Sequence, residues 1–443
     1  MQELTLFYCI SRTIAIMKRG DETEMVNRLD MKKVEMIYDK LPVYESLIDD
    51  MQLEHNESIQ FSNLPIMKRK IMIEKQSNCI MPEYFVDYIN NNLKTVRTSG
   101  STGQYLEVYW RDEDYVRSMA ELWILRAKLY GIYPHNRLFF FFTGNEQGDE
   151  YIKRNNEIGV CKSLLKESEL KRVYDIMMEW NPEWMLLQPS TAVIFCGYIK
   201  RHRLEPPKAL KYVEFSGEIL TDEIREMTRD VLGCVVANQY GCNEVNSIAY
   251  ECPNGNMHIL NNNVFVEIVD EYGRVITDSS DYTENSDEEG KIIITSLQNK
   301  VMPFIRYDIG DRGRIRNNNC KCGCKGKIME LSSGRNNDYV YFSDGEYTSS
   351  YLFVNIFDIV NLNTDGAIIQ YYVEQIGYDE FNIMLCIDDE FEEDEIIDIF
   401  YECIENRQIK NAKFNFEFSQ RLFEIRGMGK HMYFKNSISK IMC

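Results

Sequence analysis

The chain has no surplus of positive charge: 70 acidic against 50 basic side chains leave a net charge of -20 over 443 residues. No basic stripe is offered to a nucleic-acid backbone or an anionic membrane, so neither is an expected partner. Nor is there an apolar run long enough to span a bilayer. The stretch LTLFYCISRTIAIM near the start is short, is interrupted by Arg12 and lacks a small-residue cleavage site behind it, which reads as a folded segment. There is no internal repeat, no low-complexity tract and no G-x-x-x-x-G-K-[ST] phosphate loop. With no export signal either, the 13 cysteines, an odd number, argue for reduced thiols in the cytoplasm, with room for a metal, and against a disulfide framework.

What is present is enough apolar material, 44% hydrophobic and 12% aromatic, to fill more than one core. A chain this long implies a large domain plus a smaller one. Residues 20 to 95 carry apolar positions at helical spacing, as in MKKVEMIYDKLPVYESLIDDM, and read as a helical wall beside the first sheet. From residue 95 short β-rich runs alternate with amphipathic segments: VRTSG, helix 112 to 130, RLFFFFTG, helix 167 to 180, EWMLLQP, helix 190 to 202, KYVEFSGE, helix 221 to 231 and CVVANQYG. That alternation predicts a largely parallel α/β sheet, whose ligands gather beyond the carboxyl ends of its strands.

After residue 255 the texture turns to β-runs separated by turn residues, VFVEIVDEYGRVI and GKIIITSLQ, around the acidic loop DSSDYTENSDEEG. This predicts a more antiparallel subdomain. Past Ser333 the order is helix 347 to 361, strand 367 to 376, strand 380 to 388, helix 391 to 406 and strand 411 to 418, a small α+β unit with its boundary near SSGRNND.

Several short motifs carry chemistry. KTVRTSGSTGQYLEVYW crowds Thr98, Ser99, Ser101 and Thr102 around Gly100 and Gly103. Such a turn leaves backbone amides unshielded and adds hydroxyl donors, which suits phosphate oxygens, although an ordinary polar turn has the same composition. ANQYGCNEV sets Tyr240 beside Gly241 and Glu244 at a strand end, where a purine can stack and Mg²⁺ be held. IRYDIGDRGRI places Asp311 after a glycine, where a carboxylate accepts from two ribose hydroxyls. SGRNNDYV offers the planar donor fork of Arg335 at a domain junction. IRGMGKHMYF presents Lys430 in a glycine-rich segment.

Taken in order, TSGSTG, QYGCNE, YDIGD, GRNND and the late glycine-flanked lysine resemble the core motifs of the adenylate-forming superfamily, over roughly residues 95 to 435. VEFSGE and CKCGCKGK are most similar to its phenylacetate-CoA ligase branch, and DGEYTSSYL and IIQYYVEQ resemble relatives in capsular polysaccharide biosynthesis. The resemblance implies an α/β fold. A large N-terminal adenylate-forming domain, 1–333, would have mostly parallel sheets and a β-rich subdomain, followed by a small mobile α+β lid domain, 334–443.

It also implies an AMP-forming ligase: a carboxylate attacks ATP to give an acyl-adenylate, and a thiol, CoA by default, displaces AMP. On that reading Thr98, Ser99, Gly100, Ser101, Thr102 and Gly103 hold the phosphates and Glu244 carries Mg²⁺. Ser216, Gly217, Glu218, Asn238, Tyr240 and Gly241 frame the adenine, and Asp311 and Arg335 meet the ribose. Lys430 reaches the reacting oxygens during adenylation and then leaves with the rotating lid. The end of the apolar strand, Phe142 to Gly144, would line a pocket for an aromatic or other apolar acid.

Three positions depart from the family pattern. Asn337 is a neutral pivot after the hinge arginine, Ile309 stands in the YDIGD motif, and GKHMYF lacks the basic residues that usually follow the lysine. Glu218 has a second reading as a helix-capping acid near Thr221 and Asp222.

Cys252 and His258 lie six apart, and Cys320, Cys322 and Cys324 crowd one turn. Thiolates with one imidazole suit four-coordinate structural zinc if the fold brings them together; unligated thiols are the alternative. The branch it resembles often carries such a cluster, which implies Cys252, His258, Cys320 and Cys322 as ligands with Cys324 in reserve. The expected partners are a small carboxylic acid and CoA; dimers are common among relatives of the branch, and a homodimer is one of the oligomeric states left open. Two rivals stay open: transfer of the acyl group to a carrier protein, amine or hydroxyl, and a non-catalytic nucleotide-binding scaffold.

Overall fold

The computed structural model describes residues 40–44, 47, 61, 64–98, 106–142, 148–165, 167–280, 286–335, 339–364, 366–388, 391–405, 407–419 and 434–438. The chain groups into two compact units, Met1–Pro134 with Gln239–Ser332, and His135–Asn238 with Ser333–Cys443.

The first unit is built on antiparallel strands. Val264–Val269 pairs with Val275–Asp278 on one side and Gly290–Ser296 on the other, and the latter pairs with Tyr307–Arg316. Alternating β-branched residues put Val264, Val266 and Ile268 against Ile292 and Ile294 in one apolar core. The hairpin Ala249–Glu251 and Met257–Ile259 continues the sheet. This is the antiparallel texture expected after residue 255.

VRTSG is a departure from expectation. Lys94–Arg97 joins no parallel sheet but forms a two-stranded hairpin with Glu107–Trp110, where Trp110 and Val108 are fully buried. The helical wall is short where described: Arg69–Glu74 and Phe85–Ile89, with Met67–Lys68 instead a strand running parallel to Tyr307 and Asp308. Helix 112 to 130 is broken at Met119 into Asp112–Ser118 and Ala120–Leu125, and ends in the wide turn Arg126–Tyr130.

Entry into Tyr307–Arg316 is held by Arg306, which is 2% exposed and sits at φ 47°. Its Nε donates to Glu267 Oε2 at 3.1 Å, its Nη1 donates to the Leu64 carbonyl at 2.6 Å, and its backbone N–H donates to Thr295 Oγ1 at 3.0 Å. Tyr44, fully buried, donates its hydroxyl to the neighbouring Ile305 carbonyl at 2.6 Å.

The second unit holds the parallel sheet. Leu138–Phe142 lies between Glu157–Cys161 and Trp184–Leu187, and Trp184–Leu187 pairs with Tyr212–Ser216, all parallel. The hairpin Tyr151–Arg154 with Glu157–Cys161, absent from the sequence expectation, supplies the antiparallel edge. Helices Glu167–Trp180, Pro189–Arg201 and Asp222–Leu232 match the expected spans. The last is capped by Thr221, whose Oγ accepts from the Ile224 N–H at 3.2 Å, and is stopped by Gly233 at φ 61°.

A separate C-terminal sheet has the order Lys413–Ser419, Glu380–Ile387, Ile368–Gly377, Phe434–Asn436, with helices Tyr351–Asn363 and Glu393–Ile404 packed through Phe353, Phe357 and Phe400. The expected helix from 347 begins only at Tyr351. Asp344 and Gly345 make a tight turn that pairs Tyr347–Ser349 with Tyr339–Tyr341. The fold is therefore α/β with a mostly parallel sheet, a β-rich part and a distinct C-terminal sheet. Among the described residues no helix is long and apolar enough to cross a membrane.

Arg306→Met, which strands the Glu267 carboxylate, is expected to cost about 3–5 kcal/mol in urea unfolding, and adding Glu267→Met should recover most of it. A loss below about 1 kcal/mol for the single variant would show that the pair does not anchor this strand.

Candidate functional site

In the first unit, the residues singled out by sequence are joined by hydrogen bonds. Glu244 is 5% exposed and accepts at Oε1 from the Tyr307 hydroxyl at 3.0 Å and from Arg69 Nη1 at 3.4 Å. Both bonds fall on one oxygen, Oε1. Burial, then the Glu244 carboxylate, pushes the Tyr307 phenol well above its usual range, so it stays a donor. Arg69 Nη2 also donates to Thr98 Oγ1, and Thr98 closes the hairpin: its Oγ1 accepts from the Leu106 N–H at 3.1 Å and its own N–H donates to the Leu106 carbonyl at 2.9 Å. The guanidinium thus ties the entry of the Gly/Ser/Thr turn to Glu244.

Tyr240 donates its hydroxyl to Asp311 Oδ2 at 2.7 Å. Asp311 lies on Tyr307–Arg316 just after Gly310, which at φ 84° takes a conformation that side chains resist. The Gly310 N–H donates to Asp308 Oδ1 at 2.8 Å. Burial raises the Asp308 carboxyl, and that bond pulls it back. Gly241 is required by crowding: a Cβ there would lie 1.9 Å from the Asn246 carbonyl oxygen.

The second unit places Ser216, Gly217 and Glu218 at the carboxyl end of Tyr212–Ser216, with Asn238 half-buried on Val235–Tyr240. Glu218 does cap a helix, but not the one expected. Its Oε2 accepts from the Ser190 N–H and its Oε1 from the Ser190 hydroxyl, both at 2.9 Å, at the start of Pro189–Arg201. A carboxylate at a helix N-terminus satisfies an orphan donor and meets the positive end of the dipole.

Ser99, Gly100, Ser101, Thr102 and Gly103, the strand end at Thr143 and Gly144, the pivot at Asn337, and Lys430 lie outside the described residues. Arg335 ends the strand Ile328–Arg335. Arg69 was not singled out by sequence. Its only local signal is the basic run MKRK, which reads as solvated surface, because its partners are 29 and 175 residues away.

The cysteine cluster forms on two turns. Cys252 and His258 sit on the hairpin around Gly255, and CKCGC folds beside it, so that the ligand atoms of Cys252, His258, Cys320 and Cys322 all lie within 4.8 Å of one another. Cys252 Sγ and Cys320 Sγ are 3.7 Å apart, and Cys322 Sγ is 3.2 Å from His258 Nε2. Tetrahedral zinc with ~2.3 Å bonds to sulfur separates its thiolates by about 3.8 Å. His258 Nδ1 faces the Gly326 carbonyl at 3.0 Å, a bond that makes Nδ1 the donor and frees Nε2 as the ligand. The Asn254 amide, then the Cys322 backbone N–H, lower the Cys320 thiol to about 6, whereas burial raises Cys252 to about 11. Cys324 is not in the set; its N–H donates to Cys322 Sγ at 3.4 Å.

No protein-family model matches the chain. It is 23% identical over 334 residues to a phenylacetate-coenzyme A ligase of Thermus thermophilus, covering 72% of this chain and 71% of that one. It is 22% identical over 360 residues to Protein CapK of Staphylococcus aureus, covering 79% and 75%. Among solved structures, 2-hydroxyisobutyryl-CoA ligase in the postadenylation state with 2-HIB-AMP matches at a TM-score of 0.66 and 15% identity, covering 93% of this chain and 89% of that chain. The anthranilate CoA ligase AuaEII with anthranoyl-AMP matches at 0.53 and 13%, covering 83% and 76%. The resemblance read from the motifs holds: phenylacetate-CoA ligases and Protein CapK are relatives, and the fold is that of adenylate-forming ligases.

The cluster predicts a metal. The purified chain should contain zinc in a one-to-one ratio, and Cys322→Ser should lower that content and the melting temperature while Cys324→Ser leaves both near the parent. Zinc-free protein of undiminished stability, prepared without chelator, would rule the site out.

Proposed function

We propose that this chain is an ATP- and Mg²⁺-dependent carboxylate ligase that makes an acyl-adenylate and then an acyl thioester, with CoA as acceptor and an aryl or arylacetic acid as substrate. The observation that carries this reading is the chain of contacts Thr98, Arg69, Glu244, Tyr307, which links two of the motifs that the resemblance assigns to phosphate and Mg²⁺. Relatives that are CoA ligases, and fold neighbours with acyl-AMP bound, support the same chemistry. The C-terminal lid would span residues 334–443, zinc would be structural, and the cytoplasm would supply ATP and CoA.

In the first half-reaction, a substrate carboxylate oxygen bonds to the α-phosphorus of ATP as the bond to pyrophosphate breaks. In the second, a thiolate sulfur bonds to the acyl carbon, the mixed-anhydride bond breaks, AMP leaves, and the thiol proton passes to solvent. The nucleophiles arrive with the substrates, so the protein's task is to orient them and offset charge. Asp311, oriented by the Tyr240 hydroxyl, would accept from ribose hydroxyls. Glu244 Oε2 would hold Mg²⁺, which neutralises phosphate charge when bound. Arg69 would orient Glu244 while Thr98 anchors the first residue of the phosphate turn. Lys430 would approach the α-phosphate during adenylation only.

The test is ATP–pyrophosphate exchange across aryl, arylacetic, fatty and amino acids. Exchange should appear with one class of acid and fall about 100-fold or more in Lys430→Ala and in Glu244→Gln. Arg69→Gln should fall less, about tenfold, mainly through a higher KM for Mg·ATP. AMP release stimulated by CoA identifies the acceptor; indifference to CoA moves the second step to a carrier protein, amine or hydroxyl. Absence of exchange with every acid, while ATP still binds, overturns the ligase reading in favour of a non-catalytic nucleotide-binding protein.

A further inference from the structure

Within the second unit, the C-terminal sheet and helices meet residues 135–238 along helices Pro189–Arg201 and Asp222–Leu232, and this joint has two unlike halves. One is a conventional clasp. Arg201 Nη2 reaches Asp388 Oδ2 at 2.5 Å, with side chains 10% and 1% exposed, and Arg201 Nη1 donates to the Gly366 carbonyl at 3.3 Å. Gly366 itself, at φ 94°, lies where a Cβ would be 3.3 Å from the Gly197 Cα. Ile369, on the adjoining strand, packs into the core of residues 135–238.

The other half is a carboxyl that gains little from being buried there. Asp358, on Tyr351–Asn363, is 8% exposed, and its Oδ2 is enclosed without a hydrogen-bond partner. Thr221, the N-cap of Asp222–Leu232, bonds to the carboxyl, and the charges that bear on it are Glu223 of that helix and Glu218 before it, both acidic. The other elements against this helix, Glu393–Ile404 and Ile368–Gly377, meet it at Phe357 through Phe400 and Tyr371, and among the described residues no cation bears on the carboxyl. An unpaired buried carboxylate beside two other carboxylates costs several times what the neutral acid does. The positive end of the helix dipole is already taken by Asp222 and Glu223.

We propose that this joint is a proton-operated clasp: the C-terminal part docks on Asp222–Leu232 with Asp358 neutral, and ionisation of Asp358 loosens it while the Arg201–Asp388 pair keeps it from separating outright. Burial, less the Thr221 bond, raises this carboxyl from 3.8 to about 7. The raised value belongs to the docked state, so docking is at full strength below the undocked value of 3.8, weakens as pH climbs towards about 7, and is level above it. This device does not depend on the ligase reading, but in such an enzyme it would bias the lid towards one of its two positions according to pH.

The experiment is hydrogen exchange on the full chain from about pH 5 to pH 8.5, comparing the parent with the isosteric, uncharged Asp358→Asn at each pH. Taking the ratio of the two cancels the intrinsic pH dependence of exchange. Peptides covering 189–201, 222–232 and 351–363 should already exchange about tenfold faster in the parent at pH 5, and the ratio should climb by up to about tenfold per pH unit until it levels off near neutrality. Arg201→Gln should speed exchange of the same peptides at every pH without removing the slope. A ratio that stays flat, or that rises equally in the first-unit strand Gly290–Ser296, overturns the proposal.

Discussion

The site in the first unit depends on how the chain enters the strand Tyr307–Arg316. Arg306 turns into it at a left-handed φ, with its guanidinium locked onto Glu267 and the Leu64 carbonyl in full burial. That lock sets the strand's register one residue before it matters. Tyr307 then reaches Glu244, and Asp311, four residues on and past the flexible Gly310, meets Tyr240. A slip of one residue would send both side chains to the opposite face of the strand. A buried ion pair is weak evidence for stability, but here it fixes geometry, since neither partner can leave without stranding the other.

Both carboxylates assigned to nucleotide binding are oriented by phenols, a choice with electrostatic consequences. A tyrosine hydroxyl stabilises an anion by donating one hydrogen bond, and it adds no positive charge. Tyr307 and Tyr240 thus orient Glu244 and Asp311 without placing a further cation beside either carboxylate. Among the described residues the cation at Glu244 is Arg69, which is shared with Thr98, so its charge is spread between a carboxylate and the hydroxyl at the root of the Gly/Ser/Thr turn. An anionic triphosphate arriving there would meet a guanidinium already in place.

Much of this was legible in the sequence, and the division follows the range of the interactions. Periodicity gave helices Glu167–Trp180 and Asp222–Leu232 nearly to the residue, because amphipathic spacing, the Thr221 cap and the Gly233 stop are all local. The cysteine and histidine set was legible because thiolate and imidazole chemistry limits who can join it, and the fold brings together the four expected residues. The hairpin Tyr151–Cys161 was missed because its strands, YIKR and EIGVC, lack the clean alternation that marks a half-buried pair. VRTSG was assigned to the wrong sheet for a related reason: a short β-run declares its conformation, not its partner. The partners of Glu244 and Asp311 were illegible for the same cause, since Tyr307 and Tyr240 stand 63 and 71 residues away in sequence.

On the proposed reading, Glu218 serves structure and site at once. Its carboxylate is spent on Ser190 at the N-terminus of Pro189–Arg201, which fixes the loop Ser216, Gly217, Glu218 against that helix. A side chain at Gly217 would be strained, since φ is 89° there, and its Cβ would stand 3.2 Å from Gln188 Nε2, which would have to shift. A loop pinned in this way presents backbone, not side chains, at the carboxyl end of its strand. A flat, rigid backbone edge is what a planar heterocycle needs beside it, so the helix cap and the proposed adenine frame do not compete for Glu218: the cap is the means by which the frame is held.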